Sequence, residues 1–283
     1  MRVRLNAVRA GLGAMLVPLI APKAGAALVG APHEAGVGFL PSNSPIADDL
    51  VWFHNAILLP VITLISLLVL GLIVYILWRF NETANPVPSR RTHNGLLEFT
   101  WTVLPALLLV VIAVPSFRLL AKQLIIPAPD LVVKVTASQW HWNYGYPKSE
   151  GGFAFDSLYV EDKDLKPGQP RVITADNPMV VPVGKVVEVD VTSQDVIHSF
   201  SVPSFGIKID AIPGRLNKTW FKADKVGFFY GQCSNICGID HAFMPINVRV
   251  VSEPEYKAWL VDAKKEFALS DGVDVASGPL VRP

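Results

Sequence analysis

The sequence predicts a two-helix transmembrane hairpin that carries an all-β domain outside the cytoplasm. Three observations lead there. Residues Ala56 to Trp78 read AILLPVITLISLLVLGLIVYILW, with no charge. Residues Phe99 to Phe117, FTWTVLPALLLVVIAVPSF, form a second uncharged run. About 20 apolar residues cross a bilayer as a helix. After them, residues 128–268 fall into short alternating segments separated by Pro/Gly turns such as KPGQP and IPGR. The composition agrees: 51% of residues are hydrophobic and only 17% charged, against about 25% charged in soluble proteins.

Residues 1–26 read as an export signal. Arg2, Arg4 and Arg9 precede a short apolar run, GLGAMLVPLIAP, and then comes Ala24-Gly25-Ala26. A basic start, an apolar centre and an A-x-A end are the features of a secretory signal. Residues 27–49 form an extracytoplasmic lead-in, and residues 50–122 the hairpin, with helices at about 52–79 and 98–120. Trp78 and Trp101 stand at the ends of the apolar runs, where amphipathic rings favour the headgroup region. The loop between the helices, about residues 79–97, contains NPVPSRR and carries Arg79, Arg90 and Arg91. Basic loops stay in the cytoplasm, so the lead-in and everything after the second helix are expected outside. The export signal requires the same orientation.

In the exported domain, LVVKVTASQWHWNYGY alternates over its first half and is rich in β-branched and aromatic residues. In KVVEVDVTS, residues 185–193, Val187, Val189 and Val191 share one face. NKTWFKADKVGFFYGQ and PINVRVVS read as two further strands, and the whole as a sandwich or barrel. Only PEYKAWLVDAKKEFA, near 254–268, has helical periodicity, and its charged face reads as solvated. The tail, residues 269–283, has a disordered composition. There is no internal repeat.

The chain's two cysteines lie in CSNICGIDHAFM, residues 233–244. On the strand reading this is a loop, and His198 sits on another loop just after VEVDVTS. The candidate ligands are His198, Cys233, Cys237, His241 and Met244. Four readings fit to different degrees. A disulfide across the loop leaves the imidazoles and the thioether unexplained. A structural zinc site takes two Cys and two His but has no use for Met244. A single blue-copper site takes one Cys, two His and a weak Met, which leaves one thiolate over. A pair of copper ions bridged by both thiolates uses every ligand. It also accounts for two thiols persisting outside the cell, where a free pair normally oxidises. No CxxCH is present, so covalent c-type haem is not supported.

H-S-F, C-S-x-x-C-G-x-x-H-x-F-M, QWHWNYGY and VPSFGIKIDAIPGRLNKTW together resemble subunit II of the haem–copper cytochrome c oxidases of bacterial and mitochondrial type. The similarity runs from the first membrane helix through PINVRV. It implies a cupredoxin-like Greek-key sandwich and a dinuclear copper centre, CuA. His198, Cys233, Cys237, His241 and Met244 match its ligands, and the main-chain carbonyl of Asn235 a further weak one. His198 and Met244 would share one copper, His241 and the Asn235 carbonyl the other. The family usually has Glu where this chain has Asn235. That side chain also reaches a magnesium ion at the border with subunit I. A neutral amide replaces a carboxylate here, and hard cations prefer charged oxygen, so the magnesium site is expected to be weakened, lost or rebuilt.

By resemblance, Trp140 is the ring at which cytochrome c delivers its electron. A basic donor needs an acidic face to steer it. Asp156, Glu161, Asp162, Asp164, Asp176 and Asp195 are candidates, and family positions favour Asp176 and Asp195. Lys208, Asp210 and Arg215 would line the interface with haem-bearing subunit I, where the electron leaves. Glu98, in Glu98-Phe99-Thr100-Trp101-Thr102, matches the family's mark for the mouth of a proton channel; on position alone, capping the helix start or snorkelling accounts for it equally well. The implied role is the subunit through which electrons enter a proton-pumping respiratory oxidase that reduces oxygen to water. The implied location is the bacterial inner membrane, with both the N-terminus and the β-domain on the periplasmic side. Expected partners are subunit I, other oxidase subunits, cytochrome c and lipid, with no nucleic acid. Three other classes fit less well. A quinol oxidase subunit lacks this ligand set. A nitrous oxide reductase needs a His-rich second site, and the chain has six His. A copper chaperone uses exposed Met- or Cys-rich ligands.

Overall fold

A computed structural model describes residues 30–33 and 35–267. The signal expected at 1–26 and the tail at 269–283 lie outside the described residues. The first membrane helix is continuous from Pro45 to Arg79. It comprises α1 (Pro45–Phe53), a π-helical turn (His54–Leu58) and α2 (Leu59–Arg79). The second, α3, spans Gly95–Leu124. At about 1.5 Å per residue the two are about 52 and 45 Å long, well beyond a hydrocarbon core of about 30 Å. Neither α2 nor α3 has a buried residue, and Trp78 and Trp101 are exposed. An apolar surface this large is stable only against lipid or partner helices.

The first helix starts well before the expected residue 52, inside the lead-in. Ser44 caps it, its hydroxyl accepting from the Ala47 N–H at 3.0 Å, and Pro45 follows. Pro suits the first helical position because its missing N–H is not needed there. The same hydroxyl donates to the Phe205 carbonyl at 2.7 Å. Beside it the Asn43 N–H donates to Ser204 O, and Asn43 Nδ2 to Lys225 O. Lys122 of α3 closes the corner, with Nζ 2.9 Å from Pro45 O and 2.5 Å from Asp49 Oδ2. The lead-in therefore clamps the anchor to the β-domain. Ser44→Ala removes the cap and a buried bond together. It is expected to destabilise the chain by about 1–2 kcal/mol, visible as a lower melting temperature in detergent.

The β-domain begins with β1 (Leu131–Ser138) and β2 (His141–Tyr146), so LVVKVTASQWHWNYGY is a hairpin that turns at Gln139-Trp140. With β3 (Phe153–Ser157), β5 (Val186–Ser193) and β8 (Asn217–Lys222) they form a sheet of order β3-β2-β1-β5-β8, in which β1 and β5 run parallel. The opposing sheet is β4 (Met179–Pro182), β10 (Pro245–Val251) and β9 (Gly227–Gln232). NKTWFKADKVGFFYGQ is thus two strands in different sheets, because Ala223–Val226 carries the chain across. Between the sheets lie Val133, Val135, Trp142, Tyr144, Val187, Val189, Phe221, Phe229 and Val248, all 0–1% exposed. A hairpin of β6 (His198–Val202) and β7 (Ile207–Ala211) joins the two layers at one edge. The amphipathic α4 (Glu253–Glu266) places Trp259 on Tyr146, Phe153 and Phe155.

Candidate metal centre

His198 is the first residue of β6 rather than part of a loop. Cys233 follows β9 directly and Met244 precedes β10. The loop between them is held at its base by the Cys233 N–H, which donates to Met244 O at 3.0 Å. It is tied to β6 by the Ser234 N–H, which donates to Ser199 O, also at 3.0 Å. These bonds bring together residues 35 positions apart. His198 Nδ1 lies 3.9 Å from Cys233 Sγ, and Cys233 Sγ lies 3.8 Å from Cys237 Sγ. The ligand atoms of His198, Cys233 and Cys237 all fall within 4.8 Å of one another. His241 Nδ1 is 3.5 Å from Cys237 Sγ, on the other side of the pair. Met244 is fully buried, and the Asn235 carbonyl is 3.3 Å from Cys233 Sγ.

Both thiols are buried and free. Their separation is far longer than a disulfide bond of about 2.05 Å. It is short enough for both sulfurs to reach one ion at a metal–thiolate distance of about 2.3 Å. Soft sulfur with imidazole is a donor set for copper or zinc, not for calcium or magnesium. The two thiols are unequal. At Cys233 burial opposes ionisation, but hydrogen bonding to His198, then to the backbone at Asn235 and Ser199, outweighs it and brings the pKa down to about 6. Burial, and then the neighbouring Cys233, push Cys237 up to about 12. Metal binding takes thiolates, so loading this pair with a cation releases protons.

The remaining predicted residues are spread over three regions. Trp140 is half-buried against the loop, and its Nε1–H donates to Cys237 O at 3.3 Å. Gly238 makes this approach possible: at φ +130° a Cβ there would lie 2.9 Å from the indole Cζ2. Of the acids, Asp195 contacts His198, with Oδ1 2.9 Å from Nε2. Asp176 is exposed and accepts from the Leu158 N–H. Asp156 accepts from Asn143, while Glu161 and Asp162 are paired with Lys163 and Arg171. Lys208 and Asp210 are exposed on β7 and Arg215 on the turn after it, with no ion pair among the described residues. Glu98 sits at the far end of the anchor. It accepts from the Asn94 N–H at 3.1 Å and lies 2.7 Å from His93 Nδ1. Sequence reasoning missed two contributors. Gln139 donates from Nε2 to Cys237 O at 2.7 Å, and Trp142 packs edge-on beneath His198. Both lie in the run QWHWNYGY, where an amide among aromatic residues carries no local signal of its contact with the cysteine loop.

Fold and site define a class: a β-domain on a two-helix membrane anchor, with a buried sulfur–imidazole cluster that could hold a metal. Two family profiles match. "Cytochrome C oxidase subunit II, transmembrane domain" covers residues 32–119, and "Cytochrome C oxidase subunit II, periplasmic domain" covers 131–251. The chain belongs to the cytochrome c oxidase subunit II family. It is 46% identical over 241 residues to a probable cytochrome c oxidase subunit 2 of Rickettsia bellii, covering 85% of this chain and 89% of that one. It is 46% identical to the Cereibacter sphaeroides subunit 2, over 84% and 83% of the two chains. A crystal structure of the periplasmic domain of subunit II from Bradyrhizobium japonicum is 58% identical, covering 51% of this chain and all of that one, with a TM-score of 0.48. The expected family and the expected architecture of two apolar helices and a β-rich domain are both found.

Proposed function

We propose that this chain is the subunit through which electrons enter a cytochrome c oxidase, taking them from cytochrome c and passing them to haem in subunit I. One observation carries the reading: two unoxidised, buried thiols 3.8 Å apart, flanked by His198 and His241. Cys233 and Cys237 would bridge two copper ions and the two imidazoles would cap them. Met244 and the Asn235 carbonyl would complete the set. Bound copper would supply one-electron redox chemistry. The strands at both ends of the loop hold the ligands in place, so little rearrangement accompanies a change of charge.

Trp140 would receive the electron, since its indole is one hydrogen bond from the main chain of a bridging cysteine. Asp176 is exposed and suited to meet a basic donor. Lys208, Asp210 and Arg215, with no ion pair among the described residues, lie on the β6–β7 hairpin and the turn after it, where subunit I would take the electron. With Asn235 in place of a carboxylate, the magnesium site is expected to be weak or absent. Basic Arg79, Arg90 and Arg91 favour a cytoplasmic loop, which puts the β-domain on the periplasmic side of a bacterial inner membrane. Oxygen reduction and most proton pumping would occur in subunit I.

Electron paramagnetic resonance on the full-length chain in detergent, loaded with copper, tests this reading. Hyperfine splitting from two equivalent copper nuclei is expected. Splitting from a single nucleus, or a Cys233–Cys237 disulfide with no bound copper, would overturn it. Glu98 is proposed to gate a proton channel into subunit I. Glu98→Gln should slow oxidase turnover several-fold while copper content stays constant, and unchanged turnover at every pH would remove that role.

A further inference from the structure

We propose that the β-domain carries a second binding site, for a primary ammonium group, in a cavity at the end of the sandwich away from the cysteine loop. β1 ends beside the Trp140 turn and starts eight residues earlier at Leu131, about 25 Å away at the rise of a strand. β10 likewise leaves the metal centre after Met244 and ends beside α4. At that far end the start of β1, the end of β4 and α4 enclose a cavity of about 200 Å³. None of its lining residues belongs to the metal centre, so the proposal does not depend on the copper reading.

Three carboxylates line the cavity, Asp130, Glu150 and Glu253, with two ammonium groups, Lys185 and Lys257. Asp130 Oδ1 is 3.7 Å from Lys185 Nζ, and its Oδ2 accepts from the Val186 N–H at 2.8 Å. Glu253 is 3.4 Å from Lys257, one helical turn on. Glu150 has no ion pair among the described residues. The cavity is therefore one positive charge short. Tyr256 lines it too. The residue is 5% exposed, and its hydroxyl is sealed from solvent and closes no hydrogen bond. Glu150 is close to this phenol: burial first, and then the charge of Glu150, push its pKa up. A buried hydroxyl without a partner is costly. A cationic hydrogen-bond donor in the adjoining space would satisfy it and Glu150 together.

A metal ion fits less well. Among the described residues, three ligand atoms of His, Cys or acids fall within 4.8 Å of one another only at His198, Cys233 and Cys237. The three carboxylates are thus too widely spaced to coordinate one bare ion, and a divalent charge would overshoot the single charge that is missing. An alkylammonium brings one charge and three N–H donors. Glu150 and the Tyr256 oxygen would accept from it, while Leu131, Pro182 and Leu260 give its stem an apolar wall.

The ammonium can belong to a free small amine or to a lysine of another oxidase subunit, and the test separates the two. Butylamine is titrated into the full-length chain in detergent at constant ionic strength. At a hundredfold excess over the dissociation constant it should raise the melting temperature by about 5–10 °C. Glu150→Gln should weaken binding about tenfold or more, the loss of one charge-assisted hydrogen bond. Tyr256→Phe keeps the ring on Trp259 and should weaken binding as well. Without amine, this variant should melt no lower than the wild type, because the lost hydroxyl had no partner. A lower melting temperature for amine-free Tyr256→Phe would reveal an internal partner and overturn the inference. So would no shift with butylamine, an equal shift in Glu150→Gln, or stabilisation by Mg²⁺ in place of the amine. In the assembled oxidase, retained butylamine binding assigns the site to a free amine. Blocked binding, with carbodiimide coupling Glu150 to a lysine of another subunit, assigns it to that lysine.

Discussion

Cys237→Ser is expected to abolish the two-nucleus copper signal while the β-domain stays folded. Cys237 Sγ sits between Cys233 Sγ at 3.8 Å and His241 Nδ1 at 3.5 Å, so it is the group shared by both halves of the site. A serine hydroxyl is smaller, harder and protonated at neutral pH, and soft metals select thiolate over it. Fold and site should therefore separate. The hydroxyl finds hydrogen-bond partners where the thiol was, so melting of the metal-free chain should change by no more than about 1 kcal/mol. Copper should fall to one ion or none, and electron transfer from cytochrome c should stop. Two retained copper ions with coupled hyperfine structure would show that Cys237 is not a bridge.

Gly231→Ala should damage the fold and the site together, although residue 231 is not a ligand. Gly231 lies in β9, face to face with β6. A Cβ there would fall inside the van der Waals boundary of the Ser201 carbonyl oxygen, and 3.2 Å from Val202 Cα. Those atoms are backbone and cannot rotate away, so β6 must move. Overpacking of this kind destabilises by about 1–3 kcal/mol, occasionally more; a backbone obstacle puts this case near the upper end. For a domain of this size that is about 10 °C in melting temperature. β6 begins at His198, so its displacement also withdraws an imidazole from Cys233. Calorimetry and copper titration should fall in parallel, and a variant that melts and loads normally would contradict the packing described.

Much of the molecule was legible in order along the chain. A membrane helix needs a long uncharged run, and Ala56–Trp78 and Phe99–Phe117 show one each without reference to any other residue. The start of the first helix was not legible, because Ser44 is selected as a cap by its contact with Phe205, far away in sequence. Strand periodicity located β1, β5 and β10. It could not show that NKTWFK and GFFYGQ belong to opposite sheets, since both alternate alike and only their partners differ.

The sequence by itself determined the anchor, the strand-rich domain and the thiols, imidazole and thioether gathered between Cys233 and Met244. All of these follow from composition, period or spacing within a few residues. Only the tertiary structure decided that His198 begins a strand beside Cys233, that Trp140 rests on the Cys237 carbonyl, and that Asp195 lies against His198. The reason is physical. Local patterns set which face of a strand is apolar, but which strands meet depends on packing between side chains distant in the chain, and it is that packing which aims the polar groups at one another.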